Sequence, residues 1–227
     1  MIDKGMFPDG QAYVVRRLTE TDIPTVLRLQ NKVVQDLDDK TSLQPLSEEE
    51  FRYITSGNGL LIGVFVKEEL ISFRALVVPD TMEDHLGIDA GLPESELDFV
   101  IYQDISNVDP DWRGLSLQRR MAKWIMDELA RSKHPYKYVC STVAPFNIPS
   151  LKDKFAQGME IVALKPKYGG NLRYIFFKEL ESSNNREGEP VLCQMADTKG
   201  QQKLLAQGYR GQKLVVIDQV YYVEFRK

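Results

Sequence analysis

The residues best placed to do chemistry lie between Val108 and Leu129, which read V-D-P-D-W-R-G-L-S-L-Q-R-R-M-A-K-W-I-M-D-E-L. Asp109-Pro110 breaks a β-rich run, and Arg113-Gly114 leads into a segment with helical periodicity. Leu117, Met121, Ile125 and Leu129 recur every four residues with Trp124 beside them, so one face of that helix is apolar. The other face carries Arg119, Arg120, Lys123, Asp127 and Glu128. A strand, a glycine turn and a helix N-terminus together make an anion site. Backbone N–H groups point outward there, the macrodipole adds positive potential, and Arg113 and Arg119 add fixed charge. Phosphate or pyrophosphate is the guest such a site takes. A plain solvated turn has the same spacing, so the flanking elements have to decide.

Those elements follow from pattern. Ala12 to Leu18 reads as a strand. The next segment is a helix with Thr21 or Asp22 as cap, Pro24 in its first turn, and Ile23, Val26, Leu27, Val33 and Val34 as its buried stripe. S-E-E-E from Ser47 is a capping box for a short helix that ends near Ser56-Gly57. Leu60 to Val66 and Leu70 to Val78, joined by K-E-E, form a hairpin. Residues 79–95 read as a long loop, either a lid or a plain surface excursion, with His85 exposed in it. A strand runs from Leu97 to Val108, with Asp98, Tyr102 and Asp104 on one face. After the organising helix come a strand through Cys140, a short helix opened by Asn147-Ile148-Pro149-Ser150 and stopped at Gly158, and two strands, 160–165 and 172–180. The fold class is α/β, a mixed sheet with helices on its faces.

Composition narrows the functions. The 227 residues are 43% hydrophobic and 27% charged, an ordinary globular balance with room for one good-sized core. A net charge of −4 argues against a dedicated nucleic-acid binder. No apolar run is long enough to cross a bilayer, and the N-terminus has no signal core. Two cysteines, Cys140 and Cys193, and two histidines give no zinc-ligand spacing. They read as free thiols in a reducing, cytoplasmic setting, with no metal expected.

Residues 181–190, E-S-S-N-N-R-E-G-E-P, have the composition of a linker between a main domain (1–180) and a C-terminal β-α-β-β appendage (191–227). The appendage echoes the segment before it. Ala156-Gln157-Gly158 recurs as Ala206-Gln207-Gly208, and Y-I-F-F at 174 as Y-V-E-F at 222. A degenerate repeat explains this, and so does chance likeness between two amphipathic units. Either way the appendage is too small to stand alone.

From Tyr13 to Leu180 the pattern resembles the GNAT superfamily of N-acetyltransferases. The resemblance rests on the element order, on R-G-L-S-L-Q (113–118) after V-D-P-D-W, and on N-I-P-S…A-Q-G-M from Asn147 to Met159. It departs from the family where Ser116 and Gln118 replace the two small loop residues, and where Lys154 stands at the position of a tyrosine acid. It implies direct transfer of an acetyl group from acetyl-CoA to a primary amine. The turn Arg113, Gly114, Leu115, Ser116, Leu117, Gln118 and Arg119 would hold the pyrophosphate. The strand end Ser106, Asn107 and Val108 would pair with the pantetheine arm, and Asn147 and Ser150 would approach it. Asp104 is the candidate base with Tyr102 beside it, Glu96 is a weaker one, and Tyr168 could shape the acceptor pocket. The acceptor is expected to be a small amine rather than a protein, and a homodimer is possible. The alternatives are a non-catalytic acyl-CoA-binding or regulatory module on the same fold, transfer of a longer acyl group, and an unrelated α/β protein that owns an anion turn.

Overall fold

In chain order the elements of the computed structural model are β1 (Asp3–Met6), β2 (Ala12–Arg17), α1 (Ile23–Asp36), α2 (Glu48–Tyr53), β3 (Gly59–Val66), β4 (Glu69–Val77), α3 (Leu86–Asp89), β5 (Val100–Val108) and α4 (Leu117–Arg131). There follow β6 (Tyr138–Val143), α5 (Ile148–Ala156), β7 (Glu160–Lys167), β8 (Asn171–Glu179), β9 (Val191–Gln194), α6 (Thr198–Ala206), β10 (Arg210–Ile217) and β11 (Val220–Arg226). Residues 1–39, 43–182 and 186–227 are described, so part of the expected linker, 183–185, lies outside them. Two compact units emerge. Met1–Val78 with Ile101–Pro135 make the first, and Pro79–Val100 with Tyr136–Lys227 the second.

The first unit is an antiparallel run β1-β2-β3-β4-β5 with helices on both faces. Each helix is there because its stripe needs covering. Ile23, Val26, Leu29 and Val33 of α1 bury with Phe51 of α2 against Leu61, Phe73 and Ala75 of the sheet. Leu27 and Val34, expected in that stripe, are only partly buried, and Leu29 and Gln30 take their place. Gln30 is buried because its amide bridges to the backbone of Leu46 in both directions, at 2.8 and 2.9 Å. On the other face Leu117, Met121, Ile125 and Leu129 of α4 are all buried, as the four-residue repeat requires. Each such side chain contributes about 1.5–3 kcal/mol of burial. Ser47 and Glu50 form the expected capping box of α2.

Three expectations need correction. β5 starts at Val100, because Glu94–Phe99 winds into a 3₁₀ turn, and Asp98 therefore shares no strand face with Tyr102 and Asp104. Residues 79–95 are not a bare loop, since they contain α3. His85 is 3% exposed, and its Nδ1 caps α3 by accepting from the Gly87 N–H. A short polar run with one buried histidine has no periodicity that would reveal this.

The second unit is ordered β6-β8-β7-β10-β11-β9. Its two β-α-β-β segments match element by element, fifty positions apart through the helix and first hairpin strand. Asn147 and Asp197 both cap their helices, and Gln157 and Gln207 both end them. Gly158 and Gly208 both follow with positive φ. Both hairpins carry a register shift at the same place, between Ile161 and Ala163 and between Gly211 and Lys213. β7 and β10 meet antiparallel at Ile161 and Gly211, which are equivalent residues, so the two copies are related by a local two-fold axis. The Y-I-F-F echo is out of register by one. Tyr174 pairs with Val143 and corresponds to Val223, which pairs with Cys193, whereas Tyr222 points to the other face.

Candidate functional site

β5 and the turn into α4 carry most of the expected site residues, all in the first unit. Along β5, Ser72, Phe73 and Arg74 of β4 oppose Val108, Asn107 and Ser106, and Leu76 opposes Gln103, so Asp104 and Ile105 share the place opposite Ala75. This is a β-bulge, which bends the strand and re-aims its side chains. Ile105 turns into the core and Asp104 is exposed. Tyr102 is half-buried two residues before it.

Asp109 ends the strand. Its carboxylate accepts from the Asp111 N–H at 3.0 Å and caps the 3₁₀ turn Pro110–Trp112. Gly114 then takes φ +88°, and a Cβ there would meet nothing within 4 Å, so the backbone is open on that side. Ser116 is the N-cap of α4 in left-handed geometry (φ 54°, ψ 27°), the region that favours glycine, and its side chain makes no capping hydrogen bond. The first N–H groups of a 15-residue helix are therefore not capped by their own N-cap side chain.

Sequence reasoning missed Arg74. It is 1% exposed, donates from Nη2 to Gln103 Oε1 at 2.7 Å and from Nη1 to the Gln118 carbonyl at 3.2 Å, and so places a guanidinium under the first turn of α4. An arginine inside the apolar run L-I-S-F-R-A-L-V-V was the available signal. Arg113 does not offer its charge alone: Nη1 pairs with Asp36 at 2.6 Å. Arg119 is exposed on the solvent side of α4.

The remaining candidates lie in the second unit. Asn147 Oδ1 accepts from the Ser150 N–H at 3.3 Å, an N-cap contact that ties the two candidates together. Tyr168, in left-handed geometry, shares a hydrogen bond with Thr142 Oγ1 at 3.1 Å. Glu96 accepts from Lys137 Nζ at 2.9 Å and Tyr138 Oη at 3.1 Å, and these partners, Lys137 first, hold its carboxyl below the usual range. That makes it a poorer base than an unpaired glutamate. Burial pushes both cysteine thiols above their ordinary pKa, which lowers their thiolate fraction.

Two buried polar atoms on β5, Ser106 Oγ and Asn107 Nδ2, have no hydrogen-bond partner in the described structure. Orphans of that kind are costly unless a ligand or water satisfies them. They lie on the strand expected to meet a pantetheine arm, so the residues present fit acetyl-CoA. Among the described residues no group of three or more His, Cys, Asp or Glu is placed to hold a metal ion, and no helix is long and apolar enough to cross a membrane. A cavity of about 850 Å³ in the first unit, lined by Gln11, Val14, Arg16 and Phe65 among others, contains none of the site residues.

No protein-family model and no curated protein sequence matches the chain. Solved structures do. The putative acetyltransferase yncA of Salmonella typhimurium, solved with acetyl-CoA, superposes with a TM-score of 0.56 at 11% identity, over 78% of this chain and 99% of that one. The ribosomal-protein-S18-alanine N-acetyltransferase of Escherichia coli gives 0.54 at 15% identity, over 78% and 99%. A GNAT-family acetyltransferase of Streptococcus pneumoniae gives 0.55 at 12%, over 74% and 99%. The chain has the GNAT N-acetyltransferase fold.

Proposed function

We propose that this protein is a cytoplasmic acyltransferase that moves an acetyl group from acetyl-CoA to the primary amine of a small molecule. The observation that carries the reading is the β5–α4 turn. It offers a helix start whose N-cap side chain makes no capping hydrogen bond, a left-handed Ser116 where the family carries a small loop residue, an open Gly114 and a buried Arg74 beneath. The N–H groups of residues 114–119 would bind the pyrophosphate. The end of β5 at Ser106, Asn107 and Val108 would pair with the pantetheine arm in strand fashion.

Acetyl-CoA supplies the thioester. The acceptor's neutral nitrogen forms the new C–N bond, the C–S bond breaks, and the amine proton goes to a base. Asp104, exposed at the bulge, would take that proton directly or through water, with Tyr102 orienting the acceptor. A thiol of pKa about 8.5 leaves without a dedicated acid, so Lys154 at the tyrosine position does not bar the reaction.

The test is thiol release from acetyl-CoA against a panel of small amines. Amine-dependent release, reduced about 10²-fold or more in Asp104→Asn, supports the assignment. Release that is equal in Asp104→Asn removes Asp104 from the mechanism. Binding of acetyl-CoA with no release for any amine favours a non-catalytic acyl-CoA module.

A further inference from the structure

The turn that would hold the pyrophosphate includes two left-handed residues, Gly114 and Ser116, within three positions. Left-handed geometry at a serine costs on the order of 1 kcal/mol or more, so contacts from elsewhere must enforce it. Several do so at or near the turn. The Asp109 N–H donates to the Ile71 carbonyl at 2.9 Å, and Arg74 holds the Gln118 carbonyl. The third contact is Lys32 of α1, whose Nζ lies 2.7 and 2.9 Å from the two oxygens of Asp109 and 2.6 Å from Asp111 Oδ2.

This third contact is the one with most at stake. The Asp109 side chain is 3% exposed, and a carboxylate so buried is costly unless its charge is matched. Lys32 matches it. The same carboxylate caps the 3₁₀ turn that leads to Gly114, so the position of Asp109 sets the path of the whole segment. Four residues along α1, on the same face of the helix, Asp36 pairs with Arg113 and fixes the next point of the turn. α1 therefore braces the turn twice, from a helix that carries none of the expected site residues.

We infer that Lys32 is a positioning residue for the anion turn, acting through Asp109 to keep the N–H groups after Gly114 in the geometry that receives a pyrophosphate. The inference rests on the acyl-CoA reading above. Lys32 itself touches neither thioester nor acceptor in this scheme, so its loss acts on binding and leaves the chemical step alone.

The experiment is calorimetric titration of the full chain with CoA for the wild type, Lys32→Met, Lys32→Arg and the double variant Lys32→Met/Asp109→Asn. Steady-state kinetics with acetyl-CoA accompany it. Lys32→Met is expected to weaken CoA about tenfold and to raise KM with kcat unchanged, because the buried carboxylate loses its cation and the turn shifts. Lys32→Arg keeps most of the affinity. The double variant recovers much of the loss, since an amide at position 109 can still cap the 3₁₀ turn and no longer needs a cation. A Lys32→Met protein that binds CoA like the wild type overturns the inference, and so does a double variant as weak as the single one. Should Lys32→Met fail to fold, the arginine and double variants still decide, by keeping or losing CoA affinity. A folded wild type that does not bind CoA is a separate outcome: it removes the acyl-CoA reading and this inference with it.

Discussion

The helices α4, α5 and α6 each follow a strand, and they begin in two ways. α5 and α6 are closed by their own side chains: Asn147 accepts from the Ser150 N–H at 3.3 Å and Asp197 from the Gly200 N–H at 2.9 Å. α4 begins from a left-handed Ser116 that caps nothing. A capped helix start has spent part of its donor capacity on its own side chain, whereas the N-cap side chain of α4 takes none of it and a buried arginine lies below. The pair α5 and α6 shows one β-α-β-β module built twice, with caps at equivalent positions and bulges at the same place.

The comparison can be broken most forcefully at its buried polar supports. Arg74→Met should cost about 2–4 kcal/mol of stability and weaken CoA binding at least tenfold, because it strips the first turn of α4 of its charge and leaves Gln103 without that donor. Gln201, on the buried face of α6, accepts from Tyr174 Oη at 2.9 Å and donates to the Met195 carbonyl. Gln201→Leu should cost about 1–3 kcal/mol and leave CoA affinity alone. Denaturant melts and CoA titration on the two variants check both halves.

A finer cut uses two glycines with the same φ of +88°, Gly114 and Gly208. Alanine at either should cost about 1 kcal/mol of strain, and only Gly114→Ala should weaken CoA. Asp197→Ala removes a cap for about 1 kcal/mol with CoA binding unchanged, measured by thermal melt beside the titration. The smallest effect expected is a gain. Ser116→Gly relieves the left-handed strain and should stabilise the fold by about 0.5–1 kcal/mol while keeping CoA affinity.

How much of this was legible in the sequence follows the range of the forces. The four-residue repeat of α4, the capping box at Ser47, the hairpin 59–77 and the glycine stop after α5 are local patterns, and each was readable. The tight turn between β5 and α4 was readable too, because glycine, arginine and helix start are neighbours in the chain. Its supports were not. Lys32 meets Asp109 across 77 positions and Arg74 meets Gln118 across 44, and no periodicity encodes such a meeting. β1 was missed because D-K-G-M alternates without an apolar face. The start of β5 was misplaced because Leu97 and Phe99 continue the strand's alternation through what is a 3₁₀ turn. The C-terminal echo was visible in A-Q-G, where a helix C-terminus demands glycine. In the strands only burial pattern persists, and matching letters there slipped by one.

One measurement bears most directly on the central claim that the start of α4 holds the pyrophosphate of an acyl-CoA. Purified protein would be titrated calorimetrically with CoA and acetyl-CoA, beside Ser116→Val, whose β-branched side chain does not tolerate the left-handed geometry that residue 116 adopts. The account predicts saturable binding of both ligands by the wild type and a loss of at least about tenfold in the folded variant. Equal affinity in the two proteins, or no binding by the wild type, would contradict it.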